Sequence, residues 1–292
     1  MQDLSFGLID SLEIRPIIQQ KQWSNLEAIA AELATDDLTR LIDGLCLTNE
    51  YAQALTHYRQ SGKSALHHLL VGVHDTFLAW QARGASYAKY LANKQIEDFA
   101  QHLGSAFEHL NRSFSHRSFE IEAAARTVRV AMGLSEPEIA KTAFYKCLQM
   151  VPDHLQAHLF FFNVLTPKWF GDEDALENFV DAAHTPALRN LLQAMYLVEM
   201  NNEVADSAAI VKQKFSNDNI RRFEQVTQLK PLANKTLYAT YLNNYLAGVH
   251  HVLDQPNTRN TFLRVLGPNV DAYPWMYFGL GWQDVQKLVT TT

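Results

Sequence analysis

The 292-residue sequence predicts an all-α protein, a tetratricopeptide-like solenoid of stacked antiparallel helix pairs. Three observations lead there. Apolar residues recur every three or four positions through most of the chain. No stretch alternates apolar and polar residues between hairpin turns. Glycine (12) and proline (9) are scarce for the length, which disfavours β-sandwiches and dinucleotide-binding α/β folds with their many tight turns. Hydrophobic residues at 47% and charged residues at 19% supply a core and argue against global disorder.

The elements follow in order. WSNLEAIAAELATDDLTRLIDGLC (23–46) places Leu26, Ile29, Ala30 and Leu33 at helical spacing, with Ser24 and Glu27 as a capping box. Thr35, Asp36 and Asp37 then punctuate it before a second helix through Leu38, Leu41 and Ile42. Residues 49–62 form a helix that stops at Gly62. Residues 64–91 read as a long apolar helix or a pair, and residues 96–114 and 118–133 as two more helices, the last closing at Gly133.

The second half carries a repeat. SEPEIAKTAFYKCLQMVP sets Ala140, Phe144, Cys147 and Pro152 at the tetratricopeptide spacing of small, aromatic, small and proline. GDEDALENFVDAAHTP sets Ala175, Phe179, Ala182 and Pro186 in the same way, with the proline one residue early. Pro152 and Pro186 are 34 residues apart, the repeat length of that fold. Small residues let paired helices approach, the aromatic fills the groove, and the proline ends the second helix. A single pair cannot bury its apolar face alone, so stacking is expected. Residues 187–200 and 203–215 look like a further pair, and 218–229 and 234–253 continue the stack. The tail at 267–288, with Tyr273, Trp275, Tyr277, Phe278 and Trp282, reads as a hydrophobic cap, or alternatively as an exposed partner groove. This gives an N-terminal helical region over 1–134 and a repeat region with its cap over 135–292, expected to form one continuous unit.

Charge and cysteine bound the function. The net charge of −6 sits wholly in residues 1–50, which hold nine acids and three bases; the rest of the chain is balanced. That segment is either a solvated helix face or a contact surface for a basic partner. No basic stripe exists to neutralise phosphates, so nucleic acid is not an expected partner. Cys46 and Cys147 suit a reducing compartment. The N-terminus lacks the pattern of a signal peptide, and the most apolar run, HLFFFNVL (158–165), is far below the roughly 20 residues of a spanning helix, so no membrane contact and a cytoplasmic location are expected.

Candidate chemistry is thin. His154 and His158 are spaced i, i+4, as in zinc sites, but Leu155 stands where a metalloprotease has its glutamate. His67, His68, His74 and Asp75 group on one helix. SGKS (61–64) resembles a phosphate loop, yet His57 occupies the place of its first glycine. Trp80 and Arg83 lie one turn apart, so the guanidinium can stack on the indole. Arg126 and Arg129 are also one turn apart and are expected on the same concave face. Asp172, Glu173, Asp174 and Glu177 read as the opening turn of a helix, where acids favour the positive end of the dipole. Trp169 either pins the preceding turn, marked by Pro167 and Gly171, or stands at the rim of a groove.

Two blocks, residues 77–110 with Ala79, Trp80, Arg83 and Gly84, and residues 148–171 with Pro167, Lys168 and Trp169, resemble the bacterial family known as domain of unknown function 4034. The resemblance implies a helical array and no catalytic residues. Phe170 departs from its pattern, which has a second small residue before Gly171. The expected function is therefore non-enzymatic: a scaffold gripping another protein, for example a toxin neutralised by an immunity protein. Its expected partner-binding residues are Trp80, Arg83, Arg126, Arg129 and Trp169, with no cofactor and no metal. The alternative is an enzyme whose groove uses His67, His74, Asp75 and Arg83.

Overall fold

The computed structural model describes residues 3–84, 90–204, 224–233 and 236–290. Among them there is no strand, as the missing alternation predicts. The chain divides into two compact units, Asp3–Asp172 and a second beginning at Glu173. The division expected at 134/135 falls inside the first unit, because the helices on either side of it pack together.

The first unit holds α1 (Leu8–Ser11), α2 (Ile14–Gln19), α3 (Trp23–Glu32), α4 (Thr35–Cys46), α5 (Ala52–Ser61), α6 (Ala65–Arg83), α7 (Asn93–Asn111), α8 (Arg117–Gly133), α9 (Pro137–Met150) and α10 (Leu155–Val164). The break between α3 and α4 falls at Leu33 and Ala34, whose backbones are extended. Ser24 lies inside α3 rather than at its N-cap, which is Gln22. Glu27 is instead engaged from outside its helix, by the Tyr58 hydroxyl at 2.5 Å and by Ser64. The capping box therefore does not form. Gly62 does end α5, and Ser64 caps α6 by accepting from the His67 backbone N–H.

Close approach needs small residues. Gly72 on α6 lies against Leu110 and the Ala106 backbone of α7, where a Cβ would come within 2.8 Å of Leu110. Helix α8 is the centre of the unit: α4, α6, α7, α9 and α10 all pack on it. Its buried run of Ala123, Ala124, Ala125, Val128, Val130, Ala131 and Met132 faces all of them. Burying the apolar faces of several such helices supplies most of the unit's stability, at about 25 cal/mol per Å².

On α9, Ala140, Phe144 and Cys147 are buried, as their spacing predicts. The second match slips by one residue. In α11 (Glu173–Asp181) and the residues after it, Leu176, Val180 and Ala183 are buried, whereas Ala175 and Phe179 are half-buried and Ala182 is exposed. The helix turns its larger apolar residues inward, and burial follows volume rather than the motif's spacing.

The second unit continues with α12 (Pro186–Val204), α13 (Leu237–Val252), α14 (Pro256–Leu266), a 3-10 turn at Trp275–Phe278 and α15 (Trp282–Thr290). The helices expected over 203–215 and most of 218–229 lie outside the described residues, as does the side chain of Trp282. Helix α13 packs on α12 and α14. Trp275 is fully buried against α13, where Asn244 Oδ1 accepts from the Asp271 backbone N–H at 3.1 Å and from the indole N–H at 3.5 Å. Pro274 lies on Gly248, whose missing side chain makes room for it. Tyr273 and Met276 are exposed. The tail thus caps its unit through Trp275.

Candidate binding site

The turn after α10 folds tightly. Trp169 N–H donates to the Thr166 carbonyl at 2.9 Å and Phe170 N–H to the Val164 carbonyl at 3.1 Å. Gly171 is required here, since a Cβ would sit 2.0 Å from the Leu165 carbonyl oxygen. The result presents Trp169 to the C-terminal end of α6. Its ring meets Trp80 edge-on at 5.6 Å, and Trp80 meets Phe99 of α7 at 5.2 Å. The Arg83 guanidinium lies 5.7 Å from both the Trp80 and Trp169 rings and 6.0 Å from Phe99. Arg129 reaches in from α8, 3.7 Å from the Trp80 ring. All five side chains are half-buried, and Phe170 beside them is 40% exposed. The two blocks that carry the family resemblance meet at this cluster. Trp169 pins its turn against the end of α6 and remains half-buried.

Arg126 is a correction. It is buried, one turn from Arg129 but turned inward, and so leaves the expected binding set. Its guanidinium holds Asp43 Oδ1 at 2.6 Å and Glu122 Oε1 at 2.6 Å. Thr39 Oγ1 donates to Glu122 Oε2 at 2.8 Å, and His154 Nε2 lies 3.3 Å from the same oxygen. His154 Nδ1 accepts from the Ala157 backbone N–H, so in the neutral ring the proton sits on Nε2, facing Glu122. Burial opposes ionisation of Glu122, but Arg126, His154 and Thr39 outweigh it and hold the carboxyl down to about 2. Burial likewise opposes the charge on Arg126, and the Asp43 and Glu122 carboxylates raise its pKa above the ordinary value. Charges this deep persist only when paired. Asp43, Glu122 and Thr39 were not singled out from the sequence. The signal for them was Glu122 and Arg126 at i, i+4, set among the apolar residues Ile121, Ala123, Ala124 and Ala125.

The histidines separate. His154 caps α10 and serves Glu122, while the His158 ring bonds the His154 carbonyl at 2.9 Å, so the two do not form a metal pair. Asp75 is buried and held by Arg59 and by Ser105 Oγ at 2.6 Å. His74 is buried beside it, and burial lowers its pKa. His67 lies 16 residues before Arg83 on α6, about 24 Å along the axis. The four residues of the alternative enzyme site thus do not converge. His67 instead joins His68 and His109 of α7, with imidazole nitrogens of all three within 4.8 Å of one another. In SGK, Gly62 seats the His67 ring, which a Cβ would meet at 2.4 Å, and no phosphate loop forms.

The N-terminal acids are largely engaged with their own chain. Asp43 pairs with Arg126, Glu27 with Tyr58 and Ser64, Asp37 with Arg40, and Asp10 and Glu50 with Arg15. No helix among the described residues is long and apolar enough to cross a membrane. Cys46 and Cys147 are both buried free thiols, and burial pushes each pKa up, away from thiolate reactivity.

No family model, curated protein or solved structure matches the chain.

Proposed function

We propose that the chain is a non-enzymatic protein-binding module, a tetratricopeptide-like helical scaffold of the kind the family resemblance implies. The carrying observation is the half-exposed cluster of Trp80, Trp169, Arg83 and Arg129. Tryptophan and arginine are enriched in binding hot spots: the indole offers a large apolar area, and the guanidinium a planar fork of donors that also stacks on rings. Here the rings hold the guanidiniums in place before a partner arrives, which lowers the cost of ordering them. Since most N-terminal acids are tied within the chain, the cluster favours a partner that presents carboxylates and apolar side chains over the basic partner their count suggests. Neutralisation of a toxin, as by an immunity protein, is one specific form of this proposal, drawn by analogy.

The test is affinity purification from the native host with the full chain, wild type beside Trp169→Ala and Arg83→Ala, at low and moderate salt. The expected result is a protein retained by wild type and lost by both variants, each still helical by circular dichroism. If every captured protein is retained equally by the three baits, the cluster is structural and the proposal fails.

A further inference from the structure

We propose that His67, His68 and His109 form a binding site for a divalent transition-metal ion, with zinc the best fit. Helices α6 and α7 pack closely enough to bring three imidazole nitrogens within 4.8 Å of one another. The His68 and His109 Nδ1 atoms are already 3.1 Å apart. Two nitrogens on a tetrahedral zinc, each at 2.0–2.1 Å, stand about 3.3 Å apart, so this edge of the site is set before an ion enters.

His67 supplies the third corner. Its Nε2 lies 3.3 Å from the Arg59 backbone carbonyl. Donation to that oxygen places the ring proton on Nε2 and leaves Nδ1 as a bare lone pair. Nδ1 is buried and has no hydrogen-bond partner. A histidine whose far nitrogen is fixed by a backbone carbonyl is the usual arrangement of a metal ligand. Gly62 and the Ser64 cap lock the position of His67. His68 and His109 are half-buried, which leaves a path for the ion from solvent.

All three rings are kept neutral, the form that ligates, chiefly by burial; the His68 pKa falls to about 4. The charges facing them offset one another in part. Arg59 is held by Asp75 and Arg112 lies near Glu108, while Glu27 and Asp75 act on the site as carboxylates. Three imidazoles with no thiolate select zinc, copper or nickel over magnesium or calcium. The fourth position is left for water or an outside ligand.

The experiment titrates the metal-free full chain with zinc against a chromophoric chelator at neutral pH. Wild type is expected to bind one equivalent at micromolar affinity or better. His68→Gln and His109→Gln, both at half-exposed positions, are each expected to weaken binding by at least about tenfold. Absence of binding, or equal affinity in wild type and both variants, overturns the site. Should the variants not fold, X-ray absorption on zinc-loaded wild type decides: three imidazoles support the site, and fewer than three overturn it.

Discussion

Arg126 and Arg129 are one turn apart on the same helix and meet opposite fates. Arg126 is sealed in the core of the first unit between two carboxylates, with Thr39 and His154 completing the network around Glu122. Arg129 lies over an indole at the half-exposed edge. A guanidinium can be stabilised by opposite charge or by a π face, and burial decides which is needed. Deep burial demands full charge compensation, whereas a half-exposed cation keeps part of its water and needs only the ring quadrupole. The first arrangement is spent on folding. The second keeps the guanidinium half-exposed, at the surface of the unit.

The largest expected effect comes from breaking the buried side of this comparison. Arg126→Met keeps the volume and strands two carboxylates, Asp43 and Glu122, in the core. The expected loss is about 3–5 kcal/mol, read as a fall of about 10 °C in the unfolding midpoint of a unit this size. Replacing all three charged groups with apolar residues should recover much of that loss, because the penalty is the unpaired charge rather than the missing attraction. A single variant within about 1 kcal/mol of wild type by thermal melt would contradict a tightly coupled network.

Acid should separate the two regions next. Glu122 has its folded pKa depressed to about 2 from 4.5, so its contribution is full above 4.5 and is lost as pH falls from there towards 2. His68 is depressed to about 4 from 6.5 by burial, with His67, His109 and Arg112 adding to it. The unfolded chain takes up that proton first, so stability begins to fall below 6.5 and is lost progressively to about 4. Stability should therefore decline in two windows, the histidine one first. The cluster stands well away from these histidines, with His67 about 24 Å along α6 from Arg83, so partner binding there should outlast the first window. Chemical denaturation at stepped pH checks the order; a single loss confined below pH 4.5 would remove the histidines from the account.

The sequence carried the helices well and the sites unevenly. Periodicity located α3 to α8 to within a few residues, except that α6 ends at Arg83 where the apolar pattern was read on to 91, because an apolar stripe is a local property. Trp80 with Arg83 was legible for the same reason, being one turn of one helix. Trp169 was in the expected binding set, but its contact with Trp80 and Arg83 was not legible, since it arrives from a turn 89 positions after Trp80. Arg126 was misplaced because its partner Asp43, and the Thr39 and His154 that complete the network around Glu122, lie far off in sequence. The α11 register slipped because a four-position motif ignores which neighbouring residues are larger. His109 escaped notice for want of any local pattern linking it to His67 and His68; only the packing of α7 on α6 brings them together.

The smallest expected effect tests the exposed side alone. Arg129→Ala removes a half-exposed cation 3.7 Å from the Trp80 ring. Cation–π contacts at such sites contribute about 0.5–1 kcal/mol, so the unfolding midpoint should move by only about 1–4 °C. Affinity for the partner should fall further in proportion, since a hot-spot arginine truncated in an interface costs about 2 kcal/mol or more. The ratio of the two losses is the informative quantity. Equal losses in stability and binding would make Arg129 a packing residue like its neighbour Arg126, and would erase the distinction between the inward and outward faces of α8. A binding loss several times larger, measured by titration against the captured partner, would fix Arg129 as part of the contact surface.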